Sequence, residues 1–262
     1  MKRLFRIMQT FATVYYAYMV EYRAELVLWV LSGSLPIILM GVWTQAAQRG
    51  NFGLSPVDFA RYFMAVFLVR QITVVWVIWE FEREVLEGKL SFRLLQPIDP
   101  VWHHVFSHAS ERLARLPFAV LLIVLFFILY PAAIFVPNIL TIALFLLAAG
   151  LAFALNFLIQ YTLAMVAFWT ERASSLQEFW FLFYLFLSGA IAPLAVFPES
   201  VRTIAQLTPF PYLINFPASI LVGLPVNLIQ GFLVMLAWCA GFFALNRWLW
   251  RKGLKQYSGM GA

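Results

Sequence analysis

The sequence predicts an all-α integral membrane protein with six transmembrane helices, and three observations lead there. Hydrophobic residues make up 63% of the chain, aromatic residues 18% and charged residues only 11%, whereas soluble domains are about 45–50% apolar. The mean hydropathy is correspondingly high, +0.86. The apolar residues gather into six runs near the length of about 20 residues that crosses a bilayer core. These runs lack the alternating pattern of barrel strands, and in lipid a helix is the remaining way for a segment to satisfy its own backbone. No polar stretch between them is long enough to bury a core of its own, so residues 1–262 read as a single transmembrane domain.

Taken in order, residues 1–24 are too polar to span. Leu4, Met8, Phe11, Tyr15 and Met19 nevertheless recur every three or four residues opposite Lys2, Arg6, Gln9 and Thr13. That pattern predicts an amphipathic helix along the membrane interface, with a helical extension of the first span as the other reading. The basic start lacks a small-residue cleavage site and is expected to be retained. The spans follow at Leu26–Ala46, Phe59–Trp79, Pro117–Phe135, Ile139–Trp169, Phe179–Val196 and Val226–Leu249. Between the second and third lies a polar segment, 80–116. Between the fifth and sixth, residues 198–225 stay apolar but are broken by proline, and Pro193 to Pro225 holds six of the thirteen prolines. Short apolar pieces between prolines suggest two short re-entrant helices, near Glu199–Leu207 and Tyr212–Val222.

Charge gives the orientation. Fourteen of the 18 Lys and Arg residues flank one side of the predicted spans, three (Arg49, Arg61, Arg202) flank the other, and Arg70 lies inside the second span. Basic residues stay on the cytoplasmic side, so both termini and the 80–116 segment are expected there, in a plasma membrane or bacterial inner membrane.

Several chemistries are disfavoured. No phosphate-binding G-x-x-x-x-G-K-[ST] occurs, so the chain is not expected to hydrolyse ATP alone. Glu25, Glu80, Glu171 and Glu178 sit at predicted span ends rather than deep within them, which disfavours ion coupling. His104 and His108 lie one helical turn apart before Glu111, yet no further ligand at suitable spacing accompanies them, and no metal site is expected. Cys239 is the only cysteine, so no intrachain disulfide forms. Arg70, followed by Gln71, is the exception within a span. A mid-membrane arginine costs about 2.5–3.5 kcal/mol to insert, so it should face protein or water. Two readings stand: contact with an anionic part of a substrate, or pairing with polar groups such as Asn156 or Gln160. Arg70, Gln71, Asn156 and Gln160 are the translocation-path candidates.

The polar segment contains "EREVLEGKLSFRLLQPIDP", Glu82 to Pro100, with seven charged side chains. Glu84 and Glu87 precede Gly88, Leu90, Phe92, Leu94 and Leu95 give an apolar side, and Pro97 and Pro100 end it. Such a loop is too short for a domain but can present a short amphipathic helix to another protein. This stretch resembles the first cytoplasmic loop of ABC-2-type ABC transporter permeases, which reads roughly E-x-x-x-G-x-L-x-x-x-L-L-x-P-x-x-P. The match runs through Glu84, Gly88, Leu90, Leu94, Leu95, Pro97 and Pro100. "LSGAIAPLAVFPESVRTIAQLTPFPYLINFP", Leu187 to Pro217, is similar to the region before that family's last span, with Ser188, Pro193, Pro198, Pro209 and Pro217 in matching places.

The resemblance implies an exporter permease that pairs with a second copy or a paralogous permease and with two separate ABC ATPase subunits. Those subunits would bind ATP and Mg; no cofactor is expected in this chain and no nucleic acid partner. It further implies that Glu84, Glu87, Gly88, Leu90, Leu94, Leu95 and Pro97 form the coupling element that docks on the ATPase. By the same likeness Pro193, Pro198, Pro209 and Pro217 belong to an outer gate. The expected cargo is an amphiphile: a lipid, glycolipid, polysaccharide or drug-like molecule. The rival readings are an intramembrane lipid-modifying enzyme and a channel or secondary carrier.

Overall fold

The computed structural model describes residues 2–50 and 52–257, and every regular element among them is helical. Five helices are long and apolar enough to cross a membrane: Arg23–Arg49, Pro56–Leu86, Val101–Leu129, Ile139–Phe168 and Leu228–Tyr257. The first combines α2 (Arg23–Ser32) and α3 (Leu35–Arg49), after the N-terminal α1 (Lys2–Glu21). The predicted stripe on α1 is realised: Met8, Phe11, Tyr15 and Met19 are partly covered while the residues between them are mostly exposed. It packs on α7 (Val101–Leu129), where the Phe11 ring stacks on Phe106 and the Tyr15 hydroxyl lies 3.0 Å from Nδ1 of His103. Burial there pushes the Tyr15 phenol above its ordinary pKa. Leu4 and Lys2, the start of the pattern, lie outside the described side chains.

The second crossing is the axis of the molecule. Its first part, α4 (Pro56–Thr73), begins with a capping box in which the Ser55 hydroxyl accepts from the Asp58 amide and the Asp58 carboxylate accepts from the Ser55 amide. Pro56 at the first helical position costs nothing, since that N–H has no helical partner. Phe59, Tyr62, Phe63, Val66 and Val69 are fully buried, because α3, α7, α8 (Ile139–Ala164) and α12 (Asn215–Val222) surround it. The helix then breaks at Val74–Trp76 and resumes as α5 (Val77–Leu86). The other long helices present large exposed apolar residues, including Ile38, Leu121, Ile128, Leu140, Leu147 and Leu233, as surfaces in contact with lipid or another subunit do.

Three boundaries differ from the sequence expectation. The segment 80–116 is not one loop: after the short α6 (Leu90–Leu94), residues from Val101 onward are already helix and run unbroken through Pro117 to Leu129. The predicted span Phe179–Val196 overlaps only the second part of α9 (Ser174–Leu187), a helix that starts five residues earlier and has 14 residues, about 21 Å long at 1.5 Å per residue against a hydrocarbon core of about 30 Å. It stops because Gly189 takes φ +90°, where the helix cannot continue. The proline-rich segment contains three short helices rather than two: α10 (Glu199–Gln206), α11 (Phe210–Leu213) and α12, before the final α13 (Leu228–Tyr257). Pro198 and Pro209 stand at the caps of α10 and α11, and Pro217 sits in the first turn of α12, where a missing N–H is tolerated.

The span Pro56–Leu86 defines two ends. At one, Glu82 accepts from the amide (2.6 Å) and hydroxyl (3.1 Å) of Ser174, and Ser91 lies 3.0 Å from the Tyr257 hydroxyl. At the other, Gly53 and Leu54 share a cavity with Leu194, Glu199 and Asn227. Ser174 therefore lies near one end of this span and Leu194 near the other.

Candidate coupling and translocation site

The charged end is built by a glycine. After α5, Gly88 adopts φ +71°, the left-handed conformation that ends a helix, and nothing lies within 4 Å of where its Cβ would be. The chain turns there into α6. Leu90 is fully buried beneath this helix among Phe81, Val85 and Phe168, while Phe92 and Leu95 are 72% and 84% exposed. Leu94 and Pro97 are also exposed. Glu84 is not free: its carboxylate pairs with Arg93 at 2.5 Å and with His104 at 3.3 Å, tying α5 to α6 and α7. Glu87 is exposed, and the hydrogen bond from Lys89 holds its carboxyl below the usual pKa range. Of the seven residues expected in the coupling element, Glu84 and Leu90 thus hold it in place. Glu87, Gly88, Leu94, Leu95 and Pro97 lie on its surface. A cleft of about 790 Å³ separates α6 from Trp169–Glu171.

Behind the loop is a buried ionic cluster. Glu111 pairs with Arg112 (3.0 Å), with Arg115 and with His108 (3.7 Å), and it accepts from the Trp76 indole N–H at 3.2 Å. Glu80 bridges His104 (3.4 Å) and His108 (3.2 Å). Both arginines lie over the Trp76 ring, at 5.6 and 5.3 Å from its centroid. Among the described residues no group of His, Cys, Asp or Glu is arranged to hold a metal ion; the histidines face carboxylates instead.

This cluster explains the break in the second crossing. Val74–Trp76 contains no proline or glycine, yet two carbonyls leave the helix there. Thr73 accepts from the Asn156 amide at 2.7 Å, and Val74 accepts from the Arg112 guanidinium. Unwound backbone inside a membrane protein persists where other helices satisfy it, and α8 and α7 do so here.

The break itself lines a cavity of about 150 Å³, together with Arg70, Asn156 and Gln160 and with Gln177, Trp180 and Tyr184 of α9. Three of the four translocation-path candidates therefore meet. Gln71 does not join them: it is buried on the other side of α4, with its amide over Gly33 and 3.5 Å from the Val30 carbonyl. Gln177 and Trp180 were not singled out from the sequence, although with Tyr184 they form a polar stripe at helical spacing in an apolar run. Arg112 and Asn215 were missed for a different reason, since the Val74 carbonyl that Arg112 meets and the Tyr62 hydroxyl and Leu194 amide that Asn215 meets come from other parts of the chain.

At the opposite end, the Asn215 side-chain oxygen accepts from the Leu194 amide (3.1 Å) and the Tyr62 hydroxyl (3.0 Å). These bonds fold α11 and α12 back into the bundle against α4 and α8. Pro193 lines the cavity of about 610 Å³ there, with Glu199, Arg202, Gln206 and Asn227. Pro209 and Pro217 are buried in the returning segment and Pro198 is exposed.

No curated protein matches this chain. The family model described as ABC-2 family transporter protein matches residues 50–261, from the turn before α4 to the C-terminal end. That match covers the loop, the broken crossing, the cavity and the proline-rich return, and with four of the five membrane-length helices beneath it the chain is a multi-pass membrane protein that belongs to the ABC-2 transporter family.

Proposed function

We propose that this chain is the permease subunit of an ATP-driven exporter. It pairs with a second permease and with ABC ATPase subunits, and moves an amphiphile across a plasma membrane. The family is one of transporter permeases, which supports partnership with separate ATPases. The observation that supports docking most directly is α6, which exposes Phe92, Leu94 and Leu95 at the charged end while Leu90 and the Glu84–Arg93 pair anchor it from behind. An exposed apolar edge on a rigid support is what a docking surface requires.

Replacing both Phe92 and Leu95 by Asp is expected to reduce pull-down of a co-expressed ABC ATPase at least tenfold, the loss of about 1.4 kcal/mol or more, with membrane expression unchanged. Unaltered pull-down would remove the coupling role. The purified chain alone should show no ATPase activity.

In this reading α9 and the residues up to Leu194 complete a sixth crossing, with the membrane-dipping segment 198–225 on the outer side and both termini in the cytoplasm. The 14 to 3 division of basic residues supports it, as do the positions of Ser174 and Leu194 near opposite ends of the second crossing. Cysteine placed at Pro137 should be labelled from outside intact cells and cysteine at Ser91 should not. Ready labelling at Ser91 in sealed cells would reverse the orientation and with it the docking surface.

A further inference from the structure

The cavity at Arg70 holds four buried polar atoms that have no hydrogen-bond partner: Nε of Arg70, Oε1 of Gln160, Oε1 of Gln177 and Nε1 of Trp180. Leaving one such group unpaired away from water is costly, and native structures contain few of them. Four around one space point to an absent polar occupant. The lining contains one cation and no carboxylate, and among the described residues Arg70 makes no ion pair. The Trp180 indole is a donor only, and the two glutamine amides can each be turned to donate. Asn156 is not available in the same way, because its amide is spent on the Thr73 carbonyl. The cavity thus offers one guanidinium fork and several converging neutral donors, which suits a tetrahedral oxyanion better than a cation or a neutral sugar.

Size and surroundings narrow this further. About 150 Å³ is below the range of about 300–1,000 Å³ that encloses a whole drug-sized ligand, so it admits a head and not a whole amphiphile. Trp79 and Phe181 at its edge are 40% and 44% exposed, and Phe179, Leu182, Phe183 and Phe186 continue an exposed apolar face along α9.

We infer that the Arg70 cavity binds the phosphate head of an amphiphile whose hydrocarbon chain lies outside it along α9. This deepens the exporter reading and rests on it for its place in transport, but not for binding itself.

The test is equilibrium binding of radiolabelled dodecyl phosphate to the full chain purified in dodecyl maltoside, whose micelles contain no phosphate. Saturable binding is expected, displaced by unlabelled dodecyl phosphate and not by dodecyltrimethylammonium. Inorganic phosphate should compete at least tenfold more weakly; equal competition would overturn the amphiphile assignment in favour of a free anion. Arg70→Gln should weaken binding at least tenfold and Arg70→Lys less, because the charge remains. Should Arg70→Gln fail to fold, Trp180→Phe and Gln177→Leu decide the matter, since each removes one polar group from a cavity wall and should weaken binding severalfold. Absence of saturable binding, or unchanged binding in these variants, overturns the site. ATPase docking measured on the same preparations separates the two ideas: intact docking without dodecyl phosphate binding removes the site alone, and intact binding without docking removes the exporter reading alone.

Discussion

Glu111→Ala is expected to cost most of the recoverable folded protein and to lower the thermal unfolding midpoint in detergent by many degrees. Glu111 is 7% exposed and is the carboxylate shared by Arg112 and Arg115, themselves 4% and 3% exposed. Removing it leaves both guanidinium groups without the carboxylate they pair with, and the Glu80 charge remains near Arg112 alone. Breaking a buried pair from one side costs about 3–5 kcal/mol, a large part of the about 5–15 kcal/mol that holds a typical domain folded. The damage should spread to the second crossing, because Arg112 also satisfies the Val74 carbonyl and Glu111 accepts from Trp76. Glu111→Gln keeps an acceptor for the indole but no charge, and should fall between alanine and wild type. Glu87→Ala is the matched control: its pair with Lys89 is solvent-exposed, and exposed ion pairs contribute little, so the midpoint should not move. A Glu111→Ala protein that unfolds with wild type would show that the cluster is not holding α7 to the break.

Gly189→Val is the second substitution expected to be severe. At φ +90° a side chain is strained whatever the space, by about 1–2 kcal/mol or more for a branched residue. Here there is also no space: a Cβ would lie 2.4 Å from the Tyr62 hydroxyl and 2.7 Å from Cβ of Asn215. The Tyr62 hydroxyl donates to the Gly189 carbonyl at 2.9 Å and is fully buried, so displacing it strands a polar group at about 1–3 kcal/mol. Together these losses should prevent α11 and α12 from returning into the bundle, seen as proteolysis within 198–225 and loss of monodisperse protein. Gly88→Val isolates the backbone contribution. Gly88 has φ +71° but open space around it, so this variant should insert and fold, with the defect confined to ATPase docking and stimulated ATP turnover. Equal stability of the Gly189 and Gly88 variants would mean that the contact with Tyr62 does not matter.

What could be read without coordinates depended on sums of local preferences. Each long apolar run is a sum of many transfer free energies, so an error at a few residues does not move a span. The Met8–Phe11–Tyr15–Met19 stripe and the prolines at 198, 209 and 217 are equally local. One states a helical period, the other removes backbone donors. The polar loop and its glycine were legible for the same reason. They even located Arg70, Asn156 and Gln160 as rare polar residues in apolar runs, although not on a common wall.

The tertiary structure decided everything that required two distant residues to meet. The break at Val74–Trp76 has no local cause; it exists because Asn156, 83 residues from Thr73, and Arg112, 38 residues from Val74, supply the donors. Glu84 resembles a docking charge in the sequence and becomes an internal strut because Arg93 and His104 reach it. Arg70 and Gln71 are neighbours that face opposite walls, since consecutive positions on a helix point about 100° apart and only packing determines which side is a cavity. The short α9 follows from Gly189 meeting Tyr62 across 127 residues. Hydropathy is additive along a chain and so is written in its sequence. Partnered buried charges and freed carbonyls gain their energy only from the geometry that brings them together, and that geometry exists only in the folded protein.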